Sequence, residues 1–419
     1  MAKKTKEKKV LDKKGWISSF FIVGEARIND YTYTLDKESE KSDWIYNMMN
    51  LGIYCGDNYG IVHAELMGGY SDNRKNVIYT HGIKDDGTDD YENRFEIDWE
   101  DRFDEDILET VGRGCFLTVG LEKDKKGKVF YKKFLSPYDA IAYINEHLEE
   151  DMVVNIKGKL KYSTYNDNTQ CKKEINSIVL SKVEDKEKYY ARFTQTMLLD
   201  KDSIGKIDKE TGVLEITANV LDYVKTWKEK EVKTNIPFMK EFEYEVDKND
   251  SDKTKKIIKK LFKVTKGVTE ITFEGDLIEG NVTVNSSIDD IDDDVLEDVK
   301  ELLELGLITE EEINEKYVGN ANRSKRMVIR KPSIKVVEDE KGEKSFIMLK
   351  TEEKYSEDDL QLDFMLDDDD DDEDDDIYEE KKPKKTKSKE KKSVLDDFEE
   401  ISTEDEEDDS WLEMLDDDE

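Results

Sequence analysis

The chain has little of what a disulfide-rich secreted protein or a membrane protein needs. Among its 419 residues there are 3 cysteines, Cys55, Cys115 and Cys171, scattered without close pairing. This argues against a disulfide framework or a zinc module and fits a reducing compartment. No run approaches the ~18 apolar residues of a membrane helix. The basic leader, residues 1–14, lacks the apolar segment of a secretory signal and reads as a flexible arm. We expect a soluble protein of the cytoplasm.

The sequence is equally poor in the motifs of enzymes. The three histidines, His63, His81 and His147, are far apart and lack the spacing of a catalytic triad or of a metal site. There is no Walker loop, no GxSxG motif and no HExxH motif. Carboxylates are abundant, but low-complexity acidic runs do not provide the fixed geometry that catalysis requires. We therefore expect no enzymatic activity, no metal and no cofactor.

Charge is plentiful instead, and it is unevenly distributed. The formal net charge is −38, and residues 351–419 alone hold 34 acidic and 9 basic side chains. Because such a composition cannot bury enough apolar surface to fold, the sequence predicts a disordered acidic tail over residues 341–419. The remainder is only mildly acidic, and aromatic residues make up 10% of the chain, so the body can form hydrophobic cores.

The order of elements in the first part of the body indicates a small barrel. Glycine-containing, β-branched segments predict three strands within residues 16–70. A polar stretch at about 72–112 reads as an irregular loop insertion, and a hairpin follows. Ser136 and Pro137 then begin a helix, and two more strands lie within residues 151–183. Three strands, a helix and two strands is the order of an OB-fold, a five-stranded Greek-key barrel.

The same order recurs in the second part of the body. Predicted strands and a helix follow one another at 189–199, 214–226, 236–246, 252–264 (the helix) and 269–284. An acidic helical insertion at about 288–318 precedes a last strand. We predict a mainly β protein with a few helices, made of two tandem OB-like domains at residues 15–186 and 187–340. A β-sandwich or two unrelated small barrels are the alternatives.

The predicted hairpin at residues 151–183 is rich in cations for so acidic a chain. Its polar positions carry Lys157, Lys159, Lys161, Lys172 and Lys173, with Tyr162 and Tyr165 among them. Cations interleaved with aromatic rings suit a single nucleic-acid strand, because the charges attract phosphates and the rings stack on bases. The alternative interpretation is an ordinary solvated hairpin surface.

A second basic window begins and enters the last predicted strand. Residues 318–337 contain no acidic residue, and their cations are Arg323, Lys325, Arg326, Arg330, Lys331 and Lys335. A single basic strand is usually a solvated edge protected from aggregation. Basic windows at corresponding places in both units favour contact with nucleic acid.

The acidic tail contains a short apolar segment near its end. Trp411, Leu412, Met414 and Leu415 lie between acidic runs. An apolar peptide flanked by acidic residues is suited to a basic-rimmed hydrophobic pocket of a partner protein. A tail that merely increases solubility is the alternative.

These features resemble a known family. Residues 157–183, KGKLKYSTYNDNTQCKKEINSIVLSKV, are similar to the last hairpin of OB-fold single-stranded DNA-binding proteins. The acidic tail resembles the tails of bacterial and phage members of that class. The resemblance implies that the cations and rings of the hairpin contact single-stranded DNA, and that the tail tip recruits replication and repair enzymes. Two barrels in one chain and a tail ending in DDDE depart from the usual bacterial protein and look more like a phage replication protein.

The expected function is therefore non-sequence-specific binding of single-stranded DNA in replication, recombination and repair. In this interpretation the tail docks partner proteins and competes with DNA for the basic surfaces. The alternative is an acidic interaction protein, either a DNA mimic or a phage assembly factor, that does not bind DNA directly.

Overall fold

The computed structural model describes residues 8–165, 168–208, 211–228, 230–247, 250–281, 323–338, 342, 344–362 and 364. This part of the chain is mainly β, with a few short helices. The strands are β1 (Ser18–Arg27), β2 (Tyr33–Glu38), β3 (Trp44–Tyr54), β4 (Ile61–Ser71), β5 (Val77–Ile83), β6 (Asp89–Asp98), β7 (Leu117–Lys123), β8 (Val129–Phe134), β9 (Val153–Tyr165), β10 (Asn168–Leu180), β11 (Tyr190–Leu199), β12 (Ile204–Asp208), β13 (Val213–Trp227), β14 (Lys230–Glu245), β15 (Val268–Asn281), β16 (Arg323–Pro332), β17 (Ile334–Glu338), β18 (Lys344–Met348) and β19 (Lys350–Tyr355). The α-helices are α1 (Glu105–Leu108), α2 (Pro137–His147), α3 (Ser251–Leu261) and α4 (Glu357–Leu360).

Five strands form the first barrel. β1 pairs antiparallel with β3 and with β9, β3 pairs with β4, and β9 pairs with β10. A parallel contact between β4 and β10 closes the circuit. α2 lies between the third and fourth barrel strands and packs on β3 and β4; the Ser136 hydroxyl accepts a hydrogen bond from the Tyr138 amide at 3.1 Å and caps it. This is the connectivity of an OB-fold.

The second barrel repeats this connectivity strand for strand. β11 pairs with β13 and with β15, β13 with β14, and β15 with β16, all antiparallel. A parallel contact between β14 and β16 again closes the barrel, and α3 again lies between the third and fourth strands. The prediction of a mainly β protein with two tandem OB-like domains is therefore confirmed. The predicted helical insertion at 288–318 lies outside the described residues.

The first strands of the two barrels pair with each other. β1 runs antiparallel to β11 from Ser18 opposite Gln195 to Val23 opposite Tyr190. Within its own barrel β1 pairs with β3 only over residues 25–27. The part of the β1 edge that does not pair with β3 is therefore covered by β11. This pairing joins the barrels into one continuous sheet and removes an exposed strand edge.

A glycine and a phenylalanine occupy equivalent places in both barrels. Phe20 of β1 lies opposite Gly158 of β9, and Phe193 of β11 lies opposite Gly275 of β15. A Cβ atom at Gly158 would come within 2.5 Å of the Phe20 ring, and one at Gly275 within 2.6 Å of the Phe193 ring. Both phenylalanines are buried. The missing Cβ makes room for the ring that fills each barrel next to the shared strands.

The insertion within the first barrel is folded, which corrects the prediction of an irregular loop. β5 and β6 form a hairpin, and Ile97 and Val111 are buried with Leu135 in a small hydrophobic cluster. The many acidic residues of this stretch concealed the alternation of its strands. The hairpin predicted after it is present as β7 and β8.

Both ends of the body are also more ordered than their composition suggests. Leu11 of the expected flexible leader is 3% exposed and packs with Leu221, Val268 and Tyr355. The Lys9 amide donates to the carboxylate of Asp359 at 2.7 Å. Residues 8–14 are thus docked on the second barrel. The prediction of a disordered tail is wrong for β18, β19 and α4, which are folded. Tyr355 of β19 contributes a buried ring to the same cluster as Leu11.

We expect Gly158→Ala and Gly275→Ala each to destabilise the protein by about 1–3 kcal/mol, because the added methyl group overfills a packed barrel. Urea unfolding followed by far-UV circular dichroism measures the change in the free energy of unfolding. Ser163→Ala, at an exposed position of β9, is the control and should change stability little. Equal stability of the glycine variants and the control would contradict the packing argument.

Candidate nucleic-acid interface

The lysines of β9 lie on one face of the strand. Lys157 and Lys159 are exposed and Lys161 is half-buried, while the intervening Gly158 and Leu160 face the core. This follows from the two-residue period of a β-strand. Within the described residues no carboxylate forms an ion pair with Lys157 or Lys159, so both ammonium groups are available to an anionic ligand.

Strands β1 and β11 add rings and a guanidinium to this face. Phe21 lies directly opposite Lys157 on one side and Arg192 on the other. Lys157 Nζ lies 5.1 Å from the centroid of the Phe21 ring. The centroids of the Phe21 and Tyr190 rings are 5.5 Å apart. The Arg192 guanidinium lies 4.5 Å from the Tyr190 centroid. Lys157, Lys159, Phe21, Tyr190 and Arg192 are called the basic–aromatic face below.

Three members of this face were not found from the sequence. Phe21, Tyr190 and Arg192 lie in segments that the sequence predicts to be strands, without indicating a binding surface. The available signal was alternation, since Tyr190 and Arg192 alternate with the buried Ala191 and Phe193. What alternation could not show is that β1 and β11 pair, which brings the two segments together from different barrels.

Tyr162 does not belong to this face, which corrects its assignment as an exposed ring. It is 5% exposed and lies on the opposite side of β9 from the lysines. Its hydroxyl donates to Gln195 Oε1 at 3.0 Å, and its amide donates to Asp222 Oδ2 at 2.9 Å. Burial raises the pKa of the Tyr162 hydroxyl well above its usual value. Tyr162 therefore anchors the first barrel's hairpin to the second barrel.

Lys173 is likewise buried, at 5% exposure, and was wrongly expected on the solvated side. Its ammonium group donates to Glu279 Oε1 of β15. Glu279 Oε2 also accepts from the His63 amide at 3.0 Å, and the Glu279 amide donates to the Tyr59 carbonyl at 2.9 Å. The second barrel's hairpin thus reaches the first barrel, reciprocating the contact that Tyr162 makes.

The buried pair determines the ionisation of Glu279. Burial by itself raises the pKa of this carboxyl group, but the hydrogen bonds from His63 and the charge of Lys173 outweigh it and lower the pKa to about 2. The carboxylate therefore stays charged throughout the neutral and mildly acidic range. It holds β15 against β4 and β10.

The outer part of the first hairpin is open to solvent. Tyr165 is 64% exposed at the end of β9. Lys172 is exposed and lies 3.1 Å from Glu65 Oε1 of β4, an exposed ion pair of small energetic weight. Residues 166–167, between β9 and β10 in the sequence, lie outside the described residues.

The second basic window is largely neutralised by carboxylates of neighbouring strands. Arg326 Nε donates to Glu243 Oε2 at 2.7 Å, and Arg330 Nε donates to Asp276 Oδ2 at 2.6 Å. Lys331 Nζ lies 3.1 Å from Glu274. The expectation of a freely cationic strand is therefore wrong at these three positions. Ion pairs of this kind were not readable from the sequence, because the carboxylates lie on other strands.

The remaining residues of the window differ in their surroundings. Lys325 is exposed and forms no ion pair within the described part of the chain. Lys335 lies on β17, in the hairpin that follows the barrel. The side chain of Arg323 lies outside the described residues, as do Trp411, Leu412, Met414 and Leu415 of the tail.

The two basic windows lie at opposite ends of one stretch of sheet. The strand order is β9, β1, β11, β15 and β16. Arg192 lies opposite Asp276 in the register of β11 and β15, and Asp276 pairs with Arg330. Cationic side chains therefore extend across both barrels. At the β9 end Lys157 and Lys159 have no carboxylate partner among the described residues, although Lys161 lies 3.8 Å from Asp222 Oδ1, and at the β16 end the cations are paired with carboxylates.

The tertiary structure brings together groups that sequence spacing kept apart. Cys115 Sγ lies 3.2 Å from His81 Nδ1, and His81 Nε2 lies 3.7 Å from Asp89 Oδ1. Sequence spacing gave no sign of this contact, because Cys115 and His81 are 34 residues apart. Within the described residues no group of three or more side chains could hold a metal ion, and no helix there is long and apolar enough to cross a membrane.

Comparison with known proteins adds a partial family match and a distant structural likeness. A family model described as YorF matches residues 117–295, less than half of the chain. No curated protein matches the sequence. The wild-type single-stranded DNA-binding protein of Thermus aquaticus and a deletion mutant of it share 9% identity and a TM-score of 0.27 with this chain, covering 63% of it and 86% and 88% of theirs. At that TM-score the likeness carries no argument, and the OB assignment rests on the strand pairing.

Glu279→Gln should lower the free energy of unfolding at pH 7 by about 3–5 kcal/mol, because Lys173 would then be buried without a counter-charge. The native carboxyl has a pKa of about 2, below its ordinary 4.5, so its stabilisation is present above pH ~4.5 and is lost as the pH falls towards 2. The free energy of unfolding of the variant should accordingly depend less on pH between about 4.5 and 2 than that of the native chain.

Urea denaturation at pH 7 and at pH 3 measures both effects. Glu65→Gln, which removes the carboxylate of the exposed pair with Lys172, is the matched control and should cost no more than about 1 kcal/mol. Indistinguishable losses from the two substitutions would show that the buried pair does not hold the barrels together.

Proposed function

We propose that this protein binds single-stranded DNA without sequence specificity, along the basic–aromatic face. OB barrels commonly bind oligonucleotides, but a fold by itself does not determine a function. The observation that carries the proposal is the cross-strand row Lys157, Phe21 and Arg192, which spans the junction of the two barrels. Tyr190 adds a second ring beside Arg192 on β11.

The chemistry of the face matches a flexible single strand better than a duplex. Phosphates of a single strand can reach Lys157 and Lys159 while its unstacked bases turn towards Phe21 and Tyr190. Stacking contributes ~1–3 kcal/mol per base and accepts any base, because every base has a π-face. The five residues that define this face include no asparagine or glutamine that could recognise the edges of bases. This favours binding without sequence preference.

The proposal extends to the biological role. Coating of single strands serves DNA replication, recombination and repair, and we assign this chain to those processes as a bacterial or phage-type protein. The acidic tail with Trp411, Leu412, Met414 and Leu415 would dock partner proteins. The same tail is a polyanion that belongs to the same chain as the cationic face, so it would compete with DNA for Lys157 and Lys159.

The second candidate function is that of an acidic interaction protein that mimics DNA or assists phage assembly. The net charge of −38 and the carboxylates around Arg326 and Arg330 favour it. Fluorescence polarisation of labelled oligo-dT, titrated with the chain truncated after residue 364 over a salt series, separates the two functions. Absence of binding at every salt concentration would leave the acidic interaction protein as the better account.

Lys157→Glu combined with Lys159→Glu should weaken oligo-dT binding at least 10-fold. It should also reduce the slope of log affinity against log salt by about 1.4, since each lost phosphate contact with a single strand removes about 0.7. The charge-matched control is Lys253→Glu combined with Lys256→Glu, two exposed positions of α3. Equal losses in both double variants would mean that only net charge matters and would contradict the assigned face.

Removal of residues 365–419 should raise affinity for oligo-dT at low salt and flatten the salt dependence there, because the tail no longer occupies the cationic face. Truncation after residue 364 keeps β19 and α4, which belong to the folded body. The difference from the full chain should shrink as the Debye length falls from about 10 Å at 0.1 M salt to about 3 Å at 1 M. Unchanged affinity at low salt would exclude competition by the tail.

A further inference from the structure

A cysteine, a histidine and an aspartate meet in the insertion between β4 and α2. Cys115 ends the 3-10 segment Arg113–Cys115, His81 lies on β5, and Asp89 begins β6. Cys115 Sγ lies 3.2 Å from His81 Nδ1 and 3.8 Å from Nε2. His81 Nε2 also lies 3.7 Å from Asp89 Oδ1. One imidazole thus connects a thiol to a carboxylate.

The surrounding structure fixes this geometry. The Gly114 amide donates to Asp89 Oδ2 at 3.2 Å, which orients the carboxylate. A Cβ atom at Gly112 would come within 2.5 Å of His81 Cδ2, and one at Gly114 within 2.8 Å of Asp89 Oδ2. The Tyr91 ring lies 4.5 Å from the imidazole centroid. Two glycines and the tilted Tyr91 ring therefore leave the imidazole little freedom to turn away from the sulfur.

The thiol is protonated in its resting state and partly accessible. Burial raises the pKa of Cys115, and the hydrogen bond from the His81 amide and the charge of Lys159 only partly offset this. Asp89 and Tyr91 are the other titratable groups near the thiol, and Lys159 of β9 is the neighbouring cation. A thiol of this kind needs a base to become nucleophilic, and His81 is placed to serve.

We propose that Cys115 is a site of thiol–disulfide exchange with small disulfides, activated by His81. The Cys115 sulfur attacks one sulfur of the disulfide while His81 Nδ1 accepts the thiol proton. A new S–S bond forms to Cys115, the original S–S bond breaks, and the second half leaves as a thiolate. No external oxidant or reductant is required beyond the disulfide itself. Asp89 acts as a positioning residue that stabilises the imidazolium.

The other two cysteines provide internal controls. Cys55 is completely buried, and burial raises the pKa of both Cys55 and Cys171. The disulfide probe is 5,5′-dithiobis(2-nitrobenzoate), whose released thiolate is followed by absorbance, and peptide mass spectrometry identifies the labelled cysteine. The native full-length chain should label at Cys115 first, and Cys115→Ser should remove the fast phase.

The decisive measurement is the rate of Cys115 labelling as a function of pH. His81→Gln should slow labelling at pH 7 at least 10-fold, in line with general-base assistance. The variant's rate should rise with pH as the thiolate fraction of an unassisted thiol rises, so the advantage of the native chain over the variant should shrink with increasing pH. His147→Gln, which alters a histidine stacked on Tyr143, should leave the rate unchanged.

A second variant tests the proposal in case His81→Gln impairs folding. Asp89→Asn keeps an oxygen that can accept from Gly114, and should slow Cys115 labelling at pH 7, because the imidazolium formed by the proton transfer loses its neighbouring negative charge. Labelling of Cys115 no faster than that of Cys55 and Cys171 would overturn the proposal. So would an unchanged pH–rate profile in both His81→Gln and Asp89→Asn.

Discussion

The antiparallel pairing of β1 with β11 is the constraint on which the rest of the structure depends. A five-stranded barrel of this connectivity leaves half of one edge of its first strand unpaired, and unpaired strand edges attract other chains. Here each first strand covers that edge of the other. The pairing places Phe21 beside Arg192, so the structural solution to an edge also creates the basic–aromatic face.

Reciprocal contacts secure the junction on either side of those two strands. From the first barrel, Tyr162 reaches Gln195 and Asp222; from the second, Glu279 reaches Lys173 and His63. The equivalence of these arms, together with the repeated Phe–Gly pairing, indicates that the two barrels follow one plan. Polar groups that are buried and fully paired favour a single arrangement of the barrels over alternatives.

The sequence predicted the fold better than the site. The order of strands and helix, the capping Ser136 and the lysines at alternate positions of β9 needed only local periodicity, and the structure agrees with them. Tyr162 and Lys173 were misplaced for a different reason. Alternation already places Tyr162 on the buried face of Leu160 and Lys173 on the buried face of Ile175, but only the tertiary structure shows that the other barrel packs against these faces.

By itself, the sequence determined the two barrels and the lysines at alternate positions of β9, because period, turn residues and composition act over a few neighbouring residues. Tertiary structure alone decided which cations remain free. Arg326, Arg330 and Lys331 meet carboxylates from strands far away in the chain, whereas Lys157 and Lys159 meet none among the residues that the structure describes. It also decided that Cys115 meets His81. Such encounters depend on distances between strands, which no local pattern encodes.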